Sequence, residues 1–437
     1  MTLIRTVCAF AALWGIILLL NGKAVAYSTA SNRICDVRAY GAKSDGVTKD
    51  TAAIQKSIDA CAATQTRPGG RVKLSGGTFV SGPIVLKSGV TLWVDTGATL
   101  LGSPDREDYA PTTFARQPAV MPLISATDAE HVTITGGGTI DGNGHVWWSW
   151  VESAKDAGVL GNDHPRPMGI LLDHVQHARI ENITIQNSGF WQIVPYYADD
   201  VTIAHVKILA PKSPNTDAID PFSSSHVTIN HVFSSVGDDN IAIKSGEINS
   251  PGPDAPSMDI RITNCRFERG HGLSIGSEIA GGARHIYVEN ISFDGTDNGI
   301  RIKANRDRGA DVSDIDFKNI TMQNVKTAIL ISEYYPKALP EGDVALAPVT
   351  RLTPHFHNIH IENVAASGGE VAGVIIGLPE SPVTNITMKN VSLTAQTGLT
   401  IGYASVRLDH VSVRPASGAP ILLRAGAKIT GEKYLWR

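Results

Sequence analysis

The sequence has 437 residues, of which 42% are hydrophobic, 18% are charged and 6% are aromatic. A hydrophobic fraction of this size can fill a large core, which excludes an intrinsically disordered chain. The formal net charge of −4 argues against a basic surface for nucleic acids or anionic membranes and, taken alone, against a polyanionic substrate.

The first 26 residues have the pattern of a secretory signal peptide. Arg5 precedes an apolar stretch from Val7 to Leu20, and Ala24-Val25-Ala26 is a small-residue cleavage site. The apolar stretch is shorter than the roughly 20 residues that a membrane span needs. Cleavage would also remove Lys23, leaving 36 basic and 42 acidic residues and a net charge of −6. We expect a secreted protein, extracellular or periplasmic, with one domain over residues 27–437.

Three cysteines follow the predicted cleavage site, namely Cys35, Cys61 and Cys265. In an oxidising compartment, Cys35 and Cys61 can form a disulfide between an N-terminal strand and the following helix. Buried free thiols are the alternative. Three widely spaced thiols do not make a zinc site.

A short amphipathic helix is predicted between these two cysteines. Asp50-Thr51 has the character of a helix cap, and Ile54, Ile58 and Cys61 follow at helical spacing. Because a repetitive β structure needs a cover over its open core, we expect this helix to be the N-terminal cap of the repeats that follow.

A repeated pattern of apolar residues around one Asn or His extends over most of the chain. In Val201–Val206 the central residue is His205, and in Ile286–Ile291 it is Asn290. Alternation with period two, rich in Val, Ile and Thr, predicts strands. The anchor positions are Asn182, His205, His231, Asn264, Asn290, Asn319, Asn363, Asn390 and His410.

A second short strand follows the anchors by about ten residues, as in Ile241–Lys244 and Leu273–Gly276. Most anchors are 20 to 33 residues apart, which predicts an all-β parallel β-solenoid of about ten coils in a single domain. Stacked anchors would form a hydrogen-bonded ladder with about 4.8 Å between coils. Because ladder positions should be buried, we expect no glycans on the Asn-x-Ser/Thr sequences that begin at Asn182, Asn290, Asn319 and Asn390.

Four polar clusters interrupt the repeat. Asp238 and His271 each lie seven residues after an anchor, which places them at the same position on adjacent coils. Asp217 precedes Asp238 by 21 residues, which is about one coil, and Arg301 and Lys303 alternate with isoleucines and so point out of the core. The clusters are Asn215-Thr216-Asp217, Gly237-Asp238-Asp239, Gly270-His271-Gly272 and Arg301-Ile302-Lys303.

This convergence predicts an acid–base site. Three close carboxylates repel one another, which raises the pKa of at least one and keeps it protonated. Glycosidic cleavage requires such an acid beside an ionised carboxylate that activates water. Arg301 suits a bidentate hold on a substrate carboxylate, with Lys303 beside it. A turn or an acidic surface loop would explain one cluster, but not four on one face.

Two further features have open interpretations. Phe190-Trp191 and the tryptophans between residues 147 and 150 could stack on sugars, or they could be core or lid residues. The Pro-rich stretch Asn249–Met258 lies between two of the clusters and could wall off one end of a groove.

The four motifs, in this order, resemble glycoside hydrolase family 28, the polygalacturonases. The resemblance covers residues 36 to 335, and more weakly the C-terminal coils, and includes Tyr40-Gly41-Ala42-Lys43 near the N-terminus. It implies a right-handed parallel β-helix that hydrolyses α-1,4-galacturonosyl bonds of pectin with inversion.

Matching positions imply the roles of the individual residues. Asp238 would be the general acid, Asp217 and Asp239 would hold and activate water, and His271 would support Asp238. Galacturonate would be bound by Asn215, Arg301, Lys303 and a tyrosine after the next strand. Both Tyr334 and Tyr335 fit that tyrosine position, and we favour Tyr335.

Other functions remain open at this point. Rhamnogalacturonan or xylogalacturonan could be the substrate, and a non-catalytic carbohydrate-binding solenoid would need no clustered acids. A pectate lyase would need calcium, whereas an acid and an activated water need no metal or cofactor. The Pro-rich stretch leaves open whether cleavage is endo or exo. We expect a monomer, because a capped solenoid has no unpaired strand edge.

Overall fold

The repeated apolar segments form parallel strands that stack coil upon coil into a right-handed parallel β-helix, as predicted. The computed structural model describes residues 33–156, 165–336 and 344–431, so the predicted signal peptide lies outside the described residues. Among the helices described, none has the length and apolar character needed to cross a membrane.

Each coil contributes strands to three faces, which follow one another in chain order. The first face contains short strands and the N-terminal parts of longer ones. Its short strands are β1 (Ile34–Asp36), β3 (Arg71–Leu74), β6 (Thr91–Val94), β11 (Thr133–Thr135), β17 (Ser225–Asn230) and β30 (Lys428–Gly431).

The second face follows after a sharp corner. Its short strands are β2 (Asp45–Lys49), β4 (Gly77–Ser81), β7 (Ala98–Gly102), β12 (Thr139–Asp141) and β18 (Phe233–Val236). Six strands run through the corner from the first face to the second. They are β14 (Gln176–Gln186), β16 (Asp199–Ala210), β20 (Ser257–Glu268), β22 (Ala283–Asp294), β24 (Asp311–Gln323) and β28 (Ala404–Pro415).

The third face contains the C-terminal part of each coil. Two strands continue onto it from the other faces, β26 (His355–Ile376) and β27 (Val383–Gly402). Its short strands are β5 (Ile84–Leu86), β10 (Ile124–Thr127), β13 (Ile170–Asp173), β15 (Ile193–Tyr196), β19 (Ile241–Ile243), β21 (Leu273–Gly276), β23 (Asn298–Lys303), β25 (Thr327–Ser332) and β29 (Ile421–Leu423).

Few elements lie outside the coils. The strands β8 (Pro111–Phe114) and β9 (Gln117–Val120) pair as an antiparallel hairpin. Within residues 33–156, 165–336 and 344–431, the helices are α1 (Thr51–Cys61), α2 (His145–Asp156) and two short 3₁₀ segments, Val37–Tyr40 and Arg106–Asp108.

The anchors lie at the corner between the first and second faces. All nine have a left-handed backbone conformation, with φ between 51° and 57°. Asparagine tolerates this region better than most residues, and this accounts for its recurrence at the corner. Asn290 donates to Asn264 Oδ1 at 3.1 Å, and Asn390 donates to Asn363 Oδ1 at 3.1 Å, so a ladder forms as predicted.

The predicted burial of this ladder is wrong. Every anchor is exposed, whereas the apolar residues around it, such as Ile180 and Ile183, are buried. The left-handed residue adds a second outward position between two inward ones, as Glu181 and Asn182 show. Burial therefore gives no reason against glycans at these asparagines.

The interior consists of aliphatic and phenylalanine side chains stacked from coil to coil. Ile262, Val288, Phe317 and Ile361 occupy equivalent positions on four successive coils and are fully buried. Burying one such side chain stabilises the fold by about 1.5–3 kcal/mol, so the stack keeps the coils in register.

The predicted N-terminal cap is confirmed. Helix α1 packs against β1, β3 and β5, with Ile54 and Ile58 fully buried in the core. The predicted capping by Asp50 is wrong: its carboxylate accepts hydrogen bonds from the backbone N–H groups of Lys43 and Ser44 and makes none to the helix. Cys35 and Cys61 form a disulfide with their Cα atoms 6.1 Å apart, and Cys265 is a buried free thiol.

Candidate active site

Strand register on the third face places the predicted site on adjacent coils. Ile241, Leu273 and Ile300 are aligned and point into the core, so the neighbouring Ala242, Ser274 and Arg301 form an outward row. On the preceding coil Asp220 continues this row, and Lys244 and Lys303 point outward two residues after Ala242 and Arg301. These residues form a polar strip that crosses four coils of the third face.

The predicted carboxylate cluster, Asp217, Asp238 and Asp239, forms where these coils enter the third face. The backbone N–H of Ala218 donates to the carbonyl of Asp239 at 2.9 Å, so Asp217 and Asp239 lie on adjacent coils. The backbone N–H of His271 donates to the carbonyl of Asp238 at 2.7 Å, which places the histidine on the next coil. The coil period therefore brings the clusters together as the sequence predicted.

Asp239 is held in a cage of donors. Its side chain is 1% exposed and contacts Lys303 Nζ at 2.7 Å, Arg301 Nη1 at 3.1 Å and Ser274 Oγ at 2.8 Å. Burial opposes ionisation, but Lys303 and Arg301 outweigh it and hold the pKa of Asp239 far below its ordinary value. Asp239 is therefore ionised at any pH near neutral.

Asp217 has the opposite environment. It is buried, and its Oδ1 has no hydrogen-bond partner among the residues that the structure describes. Burial, together with the negative charges of Asp238 and Asp220, raises its pKa well above the ordinary value. One carboxyl group of the cluster was predicted to have a raised pKa, and in the free protein that group is Asp217.

Asp238 is the most accessible member of the cluster, with 18% of its side chain exposed. Its Oδ1 is 2.9 Å from His271 Nδ1, and its Oδ2 accepts from the backbone N–H of Asn215 at 3.1 Å. Burial opposes ionisation, but the hydrogen bond from His271 outweighs it and lowers the pKa of Asp238. The free protein therefore has an Asp238 carboxylate paired with His271.

His271 lies between two carboxylates. Its Nε2 is 3.3 Å from Asp297 Oδ2, on the side opposite Asp238. Burial disfavours the imidazolium, but the hydrogen bond to Asp238 outweighs burial and raises the pKa of His271 above its ordinary value. The Asp238–His271 pair consequently retains one proton at mildly acidic pH.

The residues predicted to bind substrate surround this cluster, but most are already engaged. Arg301 and Lys303 both contact Asp239, and the ring of Tyr335 lies 5.4 Å and 5.1 Å from their charged groups. Tyr334, the alternative, is buried against Ile376 and Leu378. Asn215 accepts at Oδ1 from Arg166 at 2.9 Å.

Sequence reasoning missed three residues that shape the site. Arg166 is buried beside Asn215, and burial lowers its pKa to about 10. Glu278 accepts from Lys244 at 3.2 Å, and although burial opposes ionisation, Lys244 and Lys303 lower its pKa to about 2. Asp220, three residues after Asp217, is visible in the sequence, whereas Arg166 precedes the first anchor, Asn182, and has no periodic signal.

Two groups of described residues offer ligand atoms within 4.8 Å of one another for a metal ion. One is Asp238, Asp239 and His271, and the other is Asp311, His355 and His357, away from the strip. In the first group, Arg301 and Lys303 already neutralise Asp239 and would repel a divalent cation. The donor set of the strip therefore suits proton transfer better than calcium binding.

The sequence and the fold are similar to those of known proteins. The sequence model described as Glycosyl hydrolases family 28 matches residues 67–410. An endo-polygalacturonase of Pectobacterium carotovorum subsp. carotovorum is 32% identical over 374 residues, covering 82% of this chain and 87% of that protein. Two solved structures align with TM-scores of 0.70 and 25% identity. They are an exopolygalacturonase from Thermotoga maritima (92% of this chain, 93% of that one) and a polygalacturonase from Erwinia carotovora ssp. carotovora (93% and 100%).

Proposed function

The chain belongs to glycosyl hydrolase family 28, and from that premise we propose that it is a polygalacturonase that cleaves α-1,4-galacturonosyl bonds of pectin with inversion. The observation that carries the proposal is the contrast between two carboxylates, Asp238 and Asp239, that are neighbours in sequence. Asp239 is locked in its ionised form, whereas the Asp238–His271 pair retains a proton. Inverting hydrolysis needs a protonated acid and an ionised base close to each other.

Asp238 is the general acid in this proposal. Its accessible carboxyl group can reach a glycosidic oxygen, and His271 Nδ1 at 2.9 Å can return a proton to it. A bound galacturonate brings negative charge and displaces water, and both effects raise the pKa of Asp238. The proton of the pair then resides on Asp238, which donates it to the leaving oxygen.

Asp239 and Asp217 act on water. The Asp239 carboxylate accepts a proton from the water that attacks the anomeric carbon, while Arg301 and Lys303 stabilise its charge before the step. Asp217 lies on the neighbouring coil with one oxygen unpaired among the described residues, and that oxygen holds the same water.

Substrate carboxylates bind at the cationic end of the strip. Lys303 has ammonium hydrogens beyond the one directed at Asp239, and Arg301 Nε has no hydrogen-bond partner among the described residues. The ring of Tyr335 lies beside the charged groups of Arg301 and Lys303. Asn215 contacts Asp238 from the preceding coil. Glu278 holds Lys244 near the strip as a further cation.

We also propose that residues 1–26 direct secretion and that residues 27–437 form one catalytic domain. The mature protein would then meet pectin outside the cytoplasm. The disulfide between Cys35 and Cys61 supports this, because such bonds persist in oxidising compartments.

Incubation with polygalacturonate in a chelator tests the function. We expect new reducing ends, no unsaturated products, and slower release from rhamnogalacturonan and xylogalacturonan. Nuclear magnetic resonance of the first product should show the inverted anomer. Unsaturated products, or activity confined to another pectic chain, would contradict the proposal.

A further inference from the structure

The strip is blocked one coil before Asp217. Val194 faces outward in the same row as Asp220, yet it is fully buried. It is covered by an apolar group that is separate from the core of the β-helix. This group, called here the aromatic wall, contains Phe114, Met168, Phe190, Trp191 and Tyr196.

The hairpin β8–β9 supplies the outer part of the aromatic wall. The ring of Phe114 lies 4.7 Å from that of Tyr196 and 5.9 Å from those of Trp191 and Phe222. Phe114 therefore lies across the outward face of two successive coils, since Tyr196 and Phe222 are bridged neighbours.

The hairpin tip is fastened to the Pro-rich stretch noted in the sequence. Arg116 contacts Asp254 Oδ1 at 3.2 Å and Ser250 Oγ at 3.1 Å, and Gln117 contacts Glu247 Oε2 at 3.2 Å. Asp254 is 1% exposed and also faces Arg351 at 3.7 Å. Arg116 is 46% exposed, but several contacts converge on the buried Asp254 carboxylate, and they make the hairpin a fixed part of the wall.

The wall leaves little space beside the carboxylate cluster. The backbone N–H of Gln192 donates to the carbonyl of Asp217 at 2.9 Å, so Trp191 and Asp217 lie on adjacent coils. Coils are about 4.8 Å apart, and a pyranose unit advances a polysaccharide by a similar distance. The wall therefore begins within about one coil spacing, roughly the length of one sugar unit, of the cluster.

We propose that the aromatic wall makes this enzyme an exo-acting hydrolase that releases monogalacturonate from a chain end. The inference rests on the proposed function, because it assumes that galacturonan lies along the strip. On the other side of the cluster, Arg301, Lys303 and Tyr335 bind the continuing polymer. Phe114 and Arg116 determine product length without touching the reacting atoms.

Sizing of early products from polygalacturonate tests the proposal. We expect monogalacturonate alone, with little loss of viscosity for each bond cleaved. A ladder of oligomers from the start would overturn exo action while leaving polygalacturonase function intact. Absence of any new reducing ends would instead contradict the proposed function itself.

Variants of the hairpin β8–β9 test whether the aromatic wall limits product length. In Phe114→Ala/Arg116→Ala, products longer than the monomer should rise roughly tenfold, because the barrier to a second sugar is removed. Asp254→Asn weakens the contact between Arg116 and the Pro-rich stretch but leaves the residues of the aromatic wall unchanged. It should give a smaller rise in products longer than the monomer. Arg266→Ala, an exposed ion-pair residue on the second face, is the matched control and should match wild type. If the double variant unfolds at the wild-type temperature and still releases monomer alone, Phe114 and Arg116 do not determine product length.

Discussion

Asp238 and Asp239 are neighbours in sequence, and the structure gives them different chemistry. Asp239 is surrounded by Lys303, Arg301 and Ser274, whereas Asp238 faces solvent and His271. We therefore propose that the surrounding residues make Asp239 the base and Asp238 the acid, because different environments separate the pKa values of paired groups.

The His271 side chain provides the first prediction at this scale. Because its pKa is raised, the Asp238–His271 pair retains its proton below that pKa and loses it as pH rises through it. We expect kcat/KM to fall over that range. In His271→Gln the proton is held by Asp238 alone, so the basic limb should move to lower pH by at least about one unit. A pH profile of kcat/KM measures this, and an unmoved limb would contradict the role of the pair.

Arg301 provides the second prediction. Arg301 lowers the pKa of Asp239, and the proposed mechanism requires ionised Asp239, so we expect activity to be lost as pH falls through that pKa. Arg301→Gln removes one cation, raises the pKa of Asp239 and should shift the acidic limb to higher pH. The control is Arg306→Gln, which breaks an ion pair with Glu380 away from Asp239. Equal shifts in both variants would show that Arg301 has no particular effect on Asp239.

Sequence reasoning located the carboxylates but not their charge states. The spacing of Asp238 and His271 after their anchors predicted their contact. The partners of Asp239 could not be predicted, because they depend on which way long side chains bend within the strip. The sequence predicts that Arg301 and Lys303 bind substrate carboxylates, and in the structure they also neutralise Asp239.

At the scale of elements, the corner between the first and second faces depends on single left-handed residues. Asn290 has φ of 57° and donates to Asn264. The repeat predicted the strands and the ladder because apolar periodicity reports burial. The predicted burial of the anchors was wrong, because one added residue at a corner reverses which side chain faces solvent.

The corner gives a stability prediction. Alanine in Asn290→Ala would keep the left-handed backbone conformation but lose the side-chain hydrogen bond to Asn264. The substitution should lower the free energy of unfolding by about 1–2 kcal/mol. Asn290→Gly should restore part of this loss, since glycine adopts positive φ without strain. Chemical denaturation measures both. Equal loss in the two variants would attribute the effect to the ladder bond and not to the backbone.

At the scale of the whole molecule, net charge proved a poor guide to substrate. The chain carries −4 overall, yet Arg301, Lys303 and Lys244 converge on one strip of the third face. Carboxylates of the site account for part of the negative balance. The hairpin β8–β9 shows the other limit of sequence reasoning, because Arg116 and Asp254 lie 138 residues apart and outside the repeat.

The disulfide joins the cap to the coils and closes a loop of 26 residues. Chain entropy predicts that Cys35→Ser/Cys61→Ser lowers the free energy of unfolding by about 3 kcal/mol. Thermal unfolding in oxidising buffer measures the loss. Cys265→Ser, which changes a buried free thiol, is the comparison, and a double variant as stable as wild type would show that the cap holds by packing alone.

The release of reducing ends from polygalacturonate by Asp238→Asn tests the central claim most directly. The amide keeps the shape of the side chain but cannot donate a proton as an acid. We predict that kcat falls by roughly 10²–10⁴-fold, the usual contribution of a general acid, while the unfolding temperature stays near that of wild type. Full hydrolytic activity in a folded Asp238→Asn variant would show that Asp238 is not the acid.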